Sequence, residues 1–73
     1  MKKNIHINTT FIKLGSLLKL ADIGGSGGMT KMIIQDGLVT VNDNFCDHRG
    51  KKIYPGDTVQ VELDSIPIII KVK

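Results

Sequence analysis

Seventy-three residues, 41% hydrophobic and 23% charged, set the scale of one small domain and exclude a disordered chain. A single cysteine, Cys46, excludes an internal disulfide, and one cysteine with two distant histidines excludes a ligand set for a metal. Ten basic residues against seven acidic give a net charge of +3, mild for a nucleic-acid binder, so the placement of the cations is more telling than their total.

Ile5 and Ile7 flank His6 with strand-like alternation, which predicts a short edge strand over Asn4 to Asn8. Thr9 or Thr10 is placed to cap a following helix. Phe11, Leu14, Leu17, Leu18 and Ala21 recur at helical spacing and gather on one face, while Lys13, Ser16 and Lys19 fall away from it. Leu20 and Ile23 are expected to close the end of this helix against the core. The glycine-rich break Gly24-Gly25-Ser26-Gly27-Gly28 cannot continue a helix cheaply, since each glycine costs about 1 kcal/mol relative to alanine. Ser26 is a suitable cap for a second helix through Met29, Met32, Ile33 and Ile34, with Lys31 on the opposite side and Gly37 at the left-handed C-terminal position.

Val39 and Val41 share one face of a strand that runs to Asn42, and Asn42-Asp43-Asn44 begins a tight turn. Phe45 to Ile53 reads as an irregular, charge-rich return. Tyr54-Pro55-Gly56-Asp57 is a β-turn signal. Val59, Val61 and Leu63 point inward from the next strand, Asp64-Ser65 turns the chain, and Ile66, Ile68, Ile70 and Val72 alternate along the last strand. Pro67 places the beginning of that strand at a sheet edge. The expected architecture is a single α+β domain over residues 1–73, with two short helices packed on one side of a small, mostly antiparallel sheet. Leu14, Leu17, Leu18, Ile33, Val41 and Val59 are its expected core.

The residues support little chemistry. Cys46 and His48 could be drawn as nucleophile and base, but no orienting acid or oxyanion device accompanies them, and a loop thiol beside a surface histidine is the plainer reading. Asp43, Asp47 and Asp57 read as turn formers. The glycine-rich break lacks the Gly-Lys-Ser/Thr of a phosphate-binding loop and does not follow a strand as a dinucleotide fingerprint must. Two uses remain open for it: a helix start whose free amides, at Gly27 and Gly28, meet a phosphate oxygen, or a flexible connection. No catalytic residue, cofactor or metal is expected. Residues 4 to 13 interrupt any apolar stretch of a secretory signal, and Ile66 to Ile70 is far too short to span a bilayer, so a cytoplasmic protein with no membrane partner is expected.

Six of the ten basic residues, Lys13, Lys19, Lys31, Arg49, Lys51 and Lys52, fall between the first helix and the hairpin return. Singly each is a solubilising charge. Packed together, Lys13, Lys31, Arg49, Lys51 and Lys52 make a surface for a phosphate backbone, and aromatic residues are too scarce for rows of stacking platforms.

Lys13-Leu14-Gly15-Ser16-Leu17-Leu18 resembles the Arg-Leu-Asp-Lys-Phe-Leu opening of the RNA-binding domain named after the bacterial ribosomal small-subunit protein S-four, the alpha-L motif. Ser26 stands at the serine of that family's Ser-Arg pair, Val39-Thr40-Val41-Asn42 at its Val-x-Val-Asn strand, and Gly56-Asp57-Thr58-Val59-Gln60-Val61 at its Gly-Asp-x-Ile-x-Val strand. Order and spacing agree over about residues 12–62, and the Ser-Gly-Gly pattern with the Arg-Gly-Lys-Lys loop is similar to the small stand-alone bacterial proteins of the YaaA and YbcJ type.

The resemblance implies a non-catalytic RNA-binding module. Lys13 matches the opening arginine, Lys31 a basic position of the second helix, and Arg49, Lys51 and Lys52 the basic return of the stand-alone members. Structured ribosomal or transfer RNA, and with it the ribosome or its assembly factors, are the implied partners. Gly15 and Ser16 replace the usual acid–lysine pair, and Gly27 replaces the arginine of Ser-Arg. That departure implies weaker binding or greater reliance on the loop, and makes a protein-interaction adaptor of the same fold the alternative. A small enzyme centred on Cys46 and His48, or a binder of single strands, are more distant readings.

Overall fold

The computed structural model describes residues 2–23, 27–63 and 65–73. Among these residues seven strands and two helices follow in the order β1 (Lys2–Ile5), β2 (Ile12–Lys13), α1 (Leu14–Leu20), α2 (Gly27–Gln35), β3 (Val39–Val41), β4 (Asn44–Phe45), β5 (Lys52–Ile53), β6 (Thr58–Leu63) and β7 (Ile66–Val72). Five strands form one sheet in the order β1-β7-β6-β3-β4, and β2 and β5 form a separate antiparallel ribbon. Every pairing in the larger sheet is antiparallel except β1 with β7.

The alternation along the sheet strands sets the inner face. Val39, Val41, Val59, Val61, Ile70 and Val72 are buried from the sheet. Leu14, Leu17, Leu18 and Ala21 of the α1 segment, with Ile33 and Ile34 of α2, cover them. All six residues expected in the core are there. A buried Thr30 ties the helices together, its hydroxyl donating to the Ile23 carbonyl at 3.4 Å. Lys3 donates to the Ala21 carbonyl at 2.6 Å, a cation at the negative end of α1.

The turns follow their residues. Asn42 and Asp43 have φ of +50° and +69°, the two positive values that a two-residue hairpin of this twist requires. Gly37 ends α2 at φ +74°. Gly56 sits at φ +99° after Pro55, and the Asp57 amide donates back to the Tyr54 carbonyl at 3.0 Å. β1 pairs with β7 only from Ile69 to Val72, so Pro67 lies on a stretch that β1 leaves uncovered.

Four expectations need correction. The edge strand starts and ends earlier than Asn4 to Asn8, because β1 takes its register from parallel pairing with β7. Phe11 and Lys13 precede α1 instead of belonging to it. Ile12–Lys13 pairs with Lys52–Ile53, and this non-local pairing outcompetes another helical turn. Neither Thr9 nor Thr10 caps α1. Lys13 occupies the cap position in extended conformation without a side-chain bond, and the Leu14 and Gly15 amides donate to the Lys51 and Arg49 carbonyls, both at 2.9 Å. Leu20 is 58% exposed, and Ile23 alone closes the helix end. The cap expected at Ser26 and the turn residue Asp64 lie outside the described residues.

Candidate nucleic-acid interface

Backbone bonds, more than side chains, assemble the basic surface. The carbonyls of Arg49 and Lys51 satisfy the first amides of α1, which draws the return loop onto the start of that helix. Gly15 permits the close approach. A Cβ built there would lie 3.3 Å from the Arg49 Cβ and 3.5 Å from its carbonyl oxygen.

A groove opens where α1, α2 and this loop meet. It is lined by Lys13, Gly15, Ser16, Lys19, Thr30, Lys31, Arg49 and Gly50. Among the described residues four cations border it and no carboxylate does. Among the described residues the only contact between a basic and an acidic side chain at ion-pair distance joins His48 Nε2 to Asp47 Oδ1, at 3.3 Å on two exposed side chains, and it is an ion pair only when the imidazole carries a proton. No carboxylate of those residues reaches ion-pair distance of the groove lysines or Arg49, and Asp47 shares a further hollow with Lys31 and Arg49.

The residues singled out from the sequence divide into two groups. Lys13, Lys31 and Arg49 share the groove. Lys51 and Lys52 line a neighbouring hollow with Asn42, Asn44, Phe45, Asp47, His48, Tyr54 and Asp57, where acids accompany them. Lys52 stays linked to the groove, because it faces Lys13 across the ribbon. Gly27 opens α2, whose first turn holds no acid, and Gly28 is exposed beside it without lining the groove.

Lys19 is a groove residue that sequence reasoning left out of the site, although its signal was available: it repeats the outward side already marked by Lys13 and Ser16. Cys46 is buried in the return loop, and its Sγ lies 3.5 Å from the His48 carbonyl oxygen, its partner in place of the imidazole. Among the described residues no cluster of three or more His, Cys, Asp or Glu side chains could hold a metal. No helix among them is long and apolar enough to cross a membrane.

The family match covers residues 5–69, from the last residue of β1 to the middle of β7. This chain belongs to the S4 domain family. It is also similar to a protein of Bacillus subtilis (strain 168) named "Probable ribosome maturation protein RlbA", 47% identical over 62 residues that span 85% of this chain and 87% of the relative.

Within this S4 domain the two strand motifs meet in space. The Asn42 side-chain Nδ2 donates to Asp57 Oδ1 at 3.1 Å, Asn42 Oδ1 accepts from the Thr58 backbone amide at 2.9 Å, and Asp57 Oδ2 accepts from the Tyr54 backbone amide at 2.8 Å. Asn42 and Asp57 thus clasp the β3–β4 hairpin to the turn that starts β6. Asp57 is a turn former, as its sequence context suggests, and both its oxygens are engaged.

Proposed function

We propose that this S4 domain is a non-catalytic RNA-binding module that docks on structured RNA, ribosomal or transfer, through the groove between α1, α2 and the return loop. The observation that carries the reading is the groove itself, four cations with no carboxylate among the described residues of its lining. Lys13, Lys19, Lys31 and Arg49 meet phosphate oxygens there. Lys52 and Lys51 extend the contact along the ribbon, and the amides of Gly27 and Gly28 offer further donors at the positive end of α2. Such contacts position a folded RNA by its phosphates and shape and read little sequence. The name of the Bacillus subtilis relative favours ribosomal RNA during maturation of the ribosome, in the cytoplasm, over transfer RNA.

A salt titration against a structured ribosomal RNA fragment tests this. Each neutralised phosphate contributes about 0.7 to 0.9 to the slope of log affinity against log salt, so four groove cations predict a slope of about 3. Raising the salt fourfold should then weaken binding by roughly fiftyfold or more. Absent binding at low salt, or an affinity that ignores ionic strength, would overturn the proposal in favour of a protein-binding adaptor.

A further inference from the structure

The outward face of the β2–β5 ribbon is a second chemical surface, distinct from the groove yet continuous with it. Ile12 and Ile53 point inward, with Ile53 fully buried. The alternation then turns Phe11 and Lys13 outward on one strand and Lys52 and Tyr54 outward on the other. Lys13 and Lys52 are direct cross-strand partners. Two like charges in that relation repel, and among the described residues no carboxylate pairs with either. Lys52 has swung diagonally, so that its Nζ stands 5.0 Å from the centre of the Phe11 ring. Phe11 and Tyr54, one residue beyond the ladder, hold their rings 5.9 Å apart at 50°.

Phe11 is thus occupied, by the ammonium of Lys52 and the tilted ring of Tyr54. Tyr54 is 44% exposed and lines the hollow next to the groove. An anion between Lys13 and Lys52 would remove their mutual repulsion, and a flat group attached to that anion would reach the exposed part of the Tyr54 ring. Of the acids at the hollow, Asp57 has both oxygens engaged by the clasp and Asp47 lies beside His48.

We propose that this ribbon face is a site for one unpaired nucleotide, its phosphate held between Lys13 and Lys52 and its base stacked on Tyr54. The inference rests on the groove reading and refines it. The groove takes the paired, phosphate-walled part of the RNA, and the ribbon takes a bulged or frayed residue at its border. Stacking on an aromatic side chain tolerates any base, so the site recognises a break in pairing more than a sequence.

The test uses two RNA hairpins of one sequence, one fully paired in its stem and one carrying a single bulged 2-aminopurine. Binding to the whole chain is followed by anisotropy, and the bulged base by its fluorescence. The bulged hairpin should bind at least fivefold more tightly, with the 2-aminopurine quenched on binding. Tyr54→Phe should keep both effects. Tyr54→Leu, which keeps apolar bulk without a ring, should lose both while binding the paired hairpin as the wild type does. Equal affinity of the wild type for the two hairpins, or a bulge preference and quenching that survive in Tyr54→Leu, would overturn the ribbon site. Salt-sensitive binding of the paired hairpin would in that case leave the groove reading standing. If neither hairpin binds at low salt, both fall.

Discussion

Asn42 performs several tasks at once. Its backbone takes a positive φ, its backbone amide donates to the Thr58 carbonyl at 2.8 Å, and its own backbone carbonyl accepts from the Asn44 side chain at 3.1 Å. Its side chain both donates to Asp57 and accepts from Thr58. Asparagine suits this position because a short amide tolerates the left-handed region and carries a donor and an acceptor together. Asn42→Ala keeps the chain length, loses both side-chain bonds and adds backbone strain. It should cost about 1 to 3 kcal/mol, read as a lower urea midpoint with unchanged slope. Asn42→Gly removes the same bonds without the strain, so it should fall between wild type and Asn42→Ala. Equal midpoints for wild type and Asn42→Ala would show that the clasp contributes nothing to stability.

At the scale of elements, the start of α1 links fold and site. Its first amides are satisfied by a loop more than thirty residues downstream in sequence, and that same loop carries Arg49. Gly15 lies at the contact. Gly15→Ala gains about 1 kcal/mol of helix propensity but sets a methyl 3.3 Å from the Arg49 Cβ, so the two effects should nearly cancel in thermal stability. Gly15→Val adds a whole isopropyl group where the loop backbone must approach. It should push Arg49 off the groove and lower the salt slope of RNA binding by about one. An unaltered slope in Gly15→Val would detach Arg49 from phosphate binding.

This coupling also marks where the sequence was legible and where it was not. The sheet strands announced themselves through alternation, as at Val59 and Val61, and the turns through residues suited to positive φ, as at Asn42 and Gly56. The outward side of α1 was legible too, and Lys19 belonged to it. The ribbon was not. Two residues per strand are too few to display a period, and Phe11 happens to fit the helical spacing of Leu14, Leu17 and Leu18. The parting of Lys51 from Arg49 was equally hidden, because it depends on carbonyls capping a distant helix, which no side-chain pattern encodes.

For the whole molecule, position of charge matters more than its sum. Lys71 lies on β7 between the buried Ile70 and Val72, so alternation turns it to the sheet face opposite the helices. Lys19 and Lys31 border the groove on the helical side. Lys19→Gln, Lys31→Gln and Lys71→Gln each lower the net charge by the same single unit. A diffuse electrostatic attraction would weaken equally in all three. A groove that seats phosphates weakens only in the first two, each losing about one from the salt slope while Lys71→Gln keeps it. All three side chains are exposed, so their folding stability should stay within about 0.5 kcal/mol of wild type and cannot explain a difference in binding. Measured side by side on one structured RNA, equal losses in all three variants would mean that RNA responds to the net charge of the molecule and not to the groove.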